Sequence, residues 1–452
     1  MAEKVEHIGK KEIVWSYAGT AFMIGAGVIL LPFILHKMPQ ETVGIWGIFQ
    51  TITALVMLLD FGFRPSFARN ISYIFSGVTT LQRDGVAHTT SEATVDYGLL
   101  KGSLIAMRRF YRWMALAVFA LLATVGTAYF YYILQKFSGD RQDAMIAWVL
   151  LIAINCYNLY TFYYDALLTG KGYVTRTQQI NMLGQVVYLG LAIGLIYAGF
   201  GLSAIVGAQL VATIIRRVLT YRVFFTPQLK AHLQDAVPQE PKAILSAISP
   251  NAIKIGLTQL GGFMVNKSAV LIGSAFLSLE AVACFSITVQ VMDILARCAT
   301  VFYQAYTPKL AQSRAENDLA SLRRYYRLCT GSLWLIYLVG GVAWVFLGEW
   351  ALNIIHSQTS FVPIAMLCAM LLISTLEHNH AVSAGFIMAD NKIPFFIPSL
   401  VSGAATILLL WLFLGPLNMG TWSLILAPGL AQLAYQNWKW PSVVIKELWG
   451  TR

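Results

Sequence analysis

The sequence predicts an all-α polytopic membrane protein of about twelve transmembrane helices. Three observations carry that prediction: 57% of the 452 residues are hydrophobic, only 12% are charged, and long apolar runs recur from end to end. Soluble domains carry roughly twice this share of charge, so the chain cannot cover a water-facing surface and a soluble enzyme is excluded. Twelve spans of about 20 residues would leave ample chain for loops and ends.

Apolar runs interrupted by charge, Gly and Pro place spans at 13–36, 42–62, 111–135, 143–168, 177–199 and 202–223, then at 246–276, 281–307, 328–348, 361–388, 393–414 and 420–445. The polar start, residues 1–12, lacks the apolar core and cleavage site of a secretory signal, so the first run is expected to be a retained helix. This gives an N-terminal six-helix bundle over 13–224 with a longer cytoplasmic loop at 63–110, a linker at 225–245, a C-terminal bundle over 246–445 and a tail at 446–452.

Lys and Arg set the orientation. Of the 32, 26 fall on one side of these spans; only Lys37, Lys136 and Arg141 fall on the other, and Lys254, Lys267 and Arg297 lie within spans. Positive charge marks the cytoplasmic side, so both termini are expected there. Tryptophans at span ends, such as Trp113, Trp350 and Trp438, suit an interfacial belt. The net charge of +11 is therefore a matter of topology and does not call for nucleic acid. The five cysteines show no paired or metal-ligand spacing, so neither a metal nor another cofactor is expected.

The chain also repeats itself. Arg64-Pro65-Ser66-Phe67 ends span two and Arg108-Arg109-Phe110-Tyr111-Arg112 closes its loop; Thr307-Pro308-Lys309-Leu310 ends span eight and Arg323-Arg324-Tyr325-Tyr326-Arg327 closes its loop. The first loop is about 28 residues longer, an insertion placed near 75–103 that includes the polar stretch Leu81 to Thr94. Two halves of the same orientation follow, as in transporters built from parallel repeats. The short outer loops leave no room for a catalytic domain. Gly170-Lys171-Gly172 lacks the upstream glycine of a phosphate-binding loop, and Asp60-Phe61-Gly62 has no accompanying kinase elements.

An ionisable group inside a span costs a few kcal/mol and is a functional candidate by default. Span seven carries Lys254 and Lys267, about 140° apart on a straight helix, around Pro250 and Gly261-Gly262. Span eight carries Asp293 and Arg297 at i,i+4, which form either a mutual salt bridge or an anion contact in which Asp293 holds the guanidinium. Span ten carries Glu377, His378 and His380, with Glu377 and His380 on one face, a candidate for proton coupling or for hydrogen bonding between helices. Asp165 sits with Asn155, Asn158 and Tyr164 in span four, and Asp60, Arg64 and Arg69 line the end of span two. Span one has no carboxylate, and the deep charges of spans seven and eight are two Lys and one Arg against one Asp, a balance that favours an anion.

These features together resemble the multidrug/oligosaccharidyl-lipid/polysaccharide exporter superfamily. Within it, Leu58-Leu59-Asp60-Phe61-Gly62-Phe63-Arg64-Pro65-Ser66-Phe67-Ala68-Arg69-Asn70-Ile71 looks like the segment of the O-antigen and polysaccharide repeat-unit flippases that runs Asp, an aromatic residue or Leu, Gly and then Arg, Asn or Tyr, Ile. The resemblance implies two six-helix bundles around a central cavity that opens alternately to each side of a bacterial inner membrane. It implies an undecaprenyl-pyrophosphate-linked oligosaccharide as cargo, with no covalent chemistry, driven by a proton or sodium gradient or by membrane potential. Membrane lipids and polysaccharide assembly machinery are the implied partners. Carried onto this sequence, the cargo contacts would be Arg64, Lys254, Lys267 and Arg297, with Asp165, Asp293, Glu377, His378 and His380 as cavity or coupling groups. The competing readings are a lipid II flippase, a cation-coupled drug exporter of the same superfamily and a membrane-embedded glycosyltransferase or ligase.

The orientation is tested by fluorescent-protein and alkaline-phosphatase fusions after Arg452. Fluorescence without phosphatase activity is expected; the reverse pattern would invert the topology.

Overall fold

The computed structural model describes residues 10–79, 95–316, 318–389 and 394–450, and among these every regular element is a helix. The polar stretch Leu81 to Thr94 lies outside the described residues.

Contacts divide the chain into two compact units. Unit 1 comprises Met1–Lys37 and Thr53–Leu257; unit 2 comprises Met38–Ile52 and Thr258–Arg452. The helices are α1 (Lys10–Lys37), α2 (Gln40–Leu58), α3 (Phe63–Phe75), α4 (Tyr97–Leu121), α5 (Thr127–Gln135), α6 (Arg141–Tyr160), α7 (Tyr163–Lys171), α8 (Val174–Tyr197), α9 (Leu202–Phe224) and α10 (Pro227–Asp235). They continue as α11 (Pro241–Asn266), α12 (Ser268–Phe276), α13 (Leu279–Ala299), α14 (Val301–Ala315), α15 (Leu319–Ile354), α16 (Ile364–Met388), α17 (Phe396–Leu414), α18 (Trp422–Leu433) and α19 (Gln436–Trp449). A π-helical turn at Leu122–Gly126 joins α4 to α5. In unit 1, α3 packs on α7, α8 on α1 and α9, and α6 on α4 and α9; in unit 2, α16 packs on α13, α15, α18 and α19, and α17 on α12 and α18.

Each predicted span falls on one helix or on a consecutive pair. Among the described residues, eight helical stretches are long and apolar enough to cross a membrane. The other four predicted spans fall on α1, on the pairs α11/α12 and α18/α19, and on α16, where Glu377-His378-Asn379-His380 dilutes the apolar run. Many large apolar side chains face outward, among them Phe346, Leu408, Val339 and Trp411, as lipid as the surrounding solvent requires.

The segment Asp60-Phe61-Gly62 has a structural explanation. It breaks span two into α2 and α3, with Phe61 at φ 46° and Gly62 at φ 71°; a glycine holds the second left-handed position at no steric cost. Asp60 is buried, and its carboxylate accepts from the backbone N–H of Arg64 at 3.0 Å and from the Tyr111 hydroxyl at 2.5 Å. The first bond satisfies a donor that every helix start leaves open. Close approach supports the same region: a Cβ on Gly170 of α7 would lie 2.5 Å from the Ala68 carbonyl of α3. Spans seven and eight are broken too, at Lys267 and at Thr300.

In unit 1 the linker after span six is fastened to the start of α4. Lys101 donates to the carbonyls of Gln234 and Ala236 at 3.2 and 2.8 Å, His232 stacks on Tyr97, and Gln239 donates to the Asp96 carboxylate at 3.0 Å. In unit 2, Arg314 pairs with Glu447 and donates to the Phe386 carbonyl, which fixes α19.

Removing the Tyr111 hydroxyl leaves a buried carboxylate oxygen without that donor, which costs about 1–3 kcal/mol. Tyr111→Phe is therefore expected to lower the unfolding temperature in detergent. An unchanged temperature would show that Asp60 draws its stability from other contacts.

Candidate functional site

Two clusters of ionisable side chains stand out, one in each unit. In unit 1 the capped start of α3 fixes the backbone of Arg64, whose exposed guanidinium lies 5.0 Å from the centroid of the Phe162 ring. Arg217 of α9 approaches the same ring at 5.9 Å and donates from Nη1 to Asp165 Oδ1 at 2.6 Å. Arg217 is only 8% exposed, and its Nε has no hydrogen-bond partner among the described residues. Arg108 lies 5.9 and 5.8 Å from the rings of Tyr163 and Phe225, and Arg216 donates to the Thr213 hydroxyl at 3.2 Å. These four arginines face two carboxylates, Asp60 and Asp165, so the cluster carries a formal surplus of two positive charges. Cation–π contacts shelter a guanidinium on a desolvated ring but do not cancel its charge, so the cluster is suited to a polyanionic group such as a phosphate ester.

In unit 2 a cavity of about 270 Å³ lies where the break between α11 and α12 meets α13, α16 and α18. Lys267, Asp293, Glu377 and His378 supply its ionisable walls, and Asn266 and Ser374 add polar atoms. Lys267 Nζ donates to Asp293 Oδ2 at 2.7 Å. His378 Nδ1 lies 2.8 Å from the Ser374 carbonyl and 3.0 Å from the Tyr337 hydroxyl, which is itself 2.8 Å from the Ser374 hydroxyl. A cavity of this size lies at the lower edge of small-ligand sites and is too small to enclose an oligosaccharide.

The structure sorts the predicted residues. It brings Lys267, Asp293, Glu377 and His378 together, and it places Arg64 and Asp165 in the unit 1 cluster. Asp293 pairs with Lys267 rather than with Arg297, because the break before α12 puts the lysine at a helix start instead of on the far side of a straight helix. Arg297 is exposed and has no carboxylate within ion-pair distance among the described residues. His380 is buried, with Nδ1 2.8 Å from Asn437 Oδ1, so the cavity receives His378 and not the Glu377–His380 face read from the sequence. The side chain of Lys254, on α11, lies outside the described residues. The cationic excess expected of spans seven and eight does not extend to this cavity, where two carboxylates face one lysine.

Sequence reasoning missed Arg217, Tyr337 and Lys171. Arg217 looked like one more basic residue at a cytoplasmic end, although its neighbour Arg216 and the lone Asp165 were both visible. Lys171 is 2% exposed, with its ammonium 5.0–5.6 Å from the ring centroids of Phe75, Tyr173 and Phe224.

No family model and no curated protein matches the chain. Solved structures do match it. The inward-facing conformation of a multidrug resistance MATE family transporter of the MOP superfamily is 15% identical, with a TM-score of 0.66 over 95% of each chain. The lipid II flippase MurJ in an inward closed conformation is 13% identical, with a TM-score of 0.62 over 96% of this chain and 87% of that one. A MOP superfamily transporter from Pyrococcus furiosus is 16% identical, with a TM-score of 0.54 over 97% and 95%. At these identities the likeness speaks to fold alone: this multi-pass membrane protein has the fold of MOP superfamily transporters.

Proposed function

We propose that the protein is an alternating-access flippase that carries an undecaprenyl-pyrophosphate-linked oligosaccharide, an O-antigen or polysaccharide repeat unit, from the cytoplasmic to the outer leaflet of a bacterial inner membrane. The observation that carries this reading is the surplus of two positive charges in the unit 1 cluster, around the buried and incompletely satisfied Arg217. A pyrophosphate supplies the negative charge and the acceptor oxygens that such a cluster lacks, whereas a cationic drug would meet like charge there. Tyr221, exposed and packed on Tyr164 and Phe225 of the same cluster, offers a face for a sugar. Arg64, Arg108 and Arg217 are the headgroup contacts in this scheme, with Asp165 orienting Arg217. Lys254 and Arg297 are further cationic contacts, and Lys267 serves in the unit 2 ion pair.

A second reading is kept because the unit 2 cavity has more carboxylates than lysines: a cation-coupled exporter of the same fold. A lipid II flippase shares the pyrophosphate chemistry and differs only in its glycan.

Depletion in the native host separates the three. Pyrophosphate-linked glycan that accumulates facing the cytoplasm is expected, and its mass identifies the cargo as a repeat unit or as lipid II. Sensitivity to cationic drugs without accumulation would replace this reading with the exporter. In proteoliposomes, Arg64→Ala and Arg217→Lys should each slow flipping about tenfold, the worth of one charge-assisted hydrogen bond. Full rates in both, and in Arg108→Ala, would remove the cluster from cargo binding.

A further inference from the structure

Between α15 and α16 of unit 2 lies a second cavity, of about 360 Å³. Its wall on α15 is one stripe at helical spacing, Trp334, Tyr337, Gly341 and Val345; its wall on α16 is Cys368, Leu371 and Thr375. Leu338, Phe346 and Leu372 form the rims and are 64%, 77% and 58% exposed, so the cavity is an open groove. Gly341 makes the floor. A Cβ there would lie 3.2 Å from the terminal carbons of Leu371, closer than ordinary contact, so a larger side chain at this position would fill the groove.

The polar atoms of these walls are already engaged within the protein. The Trp334 indole N–H donates to Asn379 Oδ1 at 3.1 Å, and the Thr375 hydroxyl donates to the Leu371 carbonyl at 2.6 Å. The Tyr337 hydroxyl is 2.8 Å from the Ser374 hydroxyl and 3.0 Å from His378 Nδ1. Beyond these the groove offers the Cys368 thiol, a weak donor. Apolar hollows of this kind stay dry. The stretch Leu319–Ile354 is long and apolar enough to cross a membrane, so the medium at the rims is hydrocarbon. An unfilled groove forfeits dispersion contacts along both walls, and a hydrocarbon chain restores them.

Depth selects the chain. At 1.5 Å per residue, Trp334 and Phe346 lie about 9 and 27 Å along α15 from Leu328, the first apolar residue after Arg323, Arg324 and Arg327. In a hydrocarbon core of about 30 Å, most of the groove therefore lies in the leaflet remote from those arginines, and its length of about 18 Å is close to one leaflet. A fatty acyl chain of that leaflet matches this length, with its carboxyl end beside Phe346 and Cys368 and its terminal methyl beside Trp334 and Thr375. An undecaprenyl tail is far longer than the groove, which would hold only a part of it.

We propose that the groove between α15 and α16 is a binding site for one fatty acyl chain of a phospholipid in the leaflet opposite the basic start of α15. The site operates whatever the cargo, so it stands apart from the function proposed above.

The test uses the full chain reconstituted in phospholipid that carries a diazirine in one acyl chain, with irradiation and mass spectrometry of the labelled peptides. A diazirine next to the chain terminus should label the Trp334 and Thr375 end, and one near the carboxyl the Phe346 and Cys368 end. Each label should be several-fold above that on Leu408 and Trp411, which face outward on α17. Gly341→Leu should bring the groove label down to the level of those two residues; Leu372→Trp, at an exposed rim, should do the same if the first variant does not fold. Labelling of the unaltered groove no greater than at Leu408 and Trp411, the reverse order along it, or label that persists in the filled variants would each overturn the proposal. Loss of label on addition of undecaprenyl phosphate would overturn it too, in favour of a polyprenyl tail.

Discussion

An unpaired charge within a bilayer is costly, and that constraint organises both units. Arg217 is tied to Asp165, Lys267 to Asp293, Arg314 to Glu447 and His380 to Asn437, and Lys171 is enclosed by three aromatic rings. Pairing of this kind rarely adds stability over an apolar replacement, yet removal of Asp165 or Glu447 leaves Arg217 or Arg314, each with a side chain only 9% exposed, without its partner. What remains after the pairs are cancelled is therefore informative. Four arginines face two carboxylates in the unit 1 cluster, whereas two carboxylates face one lysine in the unit 2 cavity.

Broken helices are how the chain delivers these groups. A straight transmembrane helix points its side chains outward at fixed angles, which leaves lysines thirteen residues apart on divergent faces. The interruptions at Asp60-Phe61-Gly62, Lys267 and Thr300 re-aim them. Irregular backbone is tolerated at membrane depth only where its polar groups are satisfied or face a wet cavity. Asp60 meets that condition at the first break by accepting from the Arg64 N–H and the Tyr111 hydroxyl. At the second, Asn266 and Lys267 line the cavity. The left-handed Phe61 stores about 1–3 kcal/mol of backbone strain, held in place by that cap and by the close packing of Gly256 against Phe61.

Much of this was legible in the sequence, because hydrophobicity and charge placement are one-dimensional signals. Apolar runs locate the helices, and Asp60-Phe61-Gly62 marks a place that is now seen to be a turn and a cap. Pairing was not legible, since it depends on which helices lie side by side. Asp293 had Arg297 four residues away as its obvious partner, and only the break before α12 brings Lys267 to it instead. Glu377 and His380 satisfied the i,i+3 rule for a shared face, but Asn437 on α19 claims His380 and leaves the adjacent His378 to the cavity. Ser374, four residues before His378, gave a local hint that sequence reasoning did not use.

The charge balance of the unit 1 cluster bears on how transport would be driven. An anionic headgroup moving from the cytoplasm to the outer face travels with an inside-negative membrane potential, gaining about 2.3 kcal/mol per charge for each 100 mV. Such a cargo does not need a proton gradient to push it across. For a cargo of that kind the membrane potential alone supplies the direction of transport.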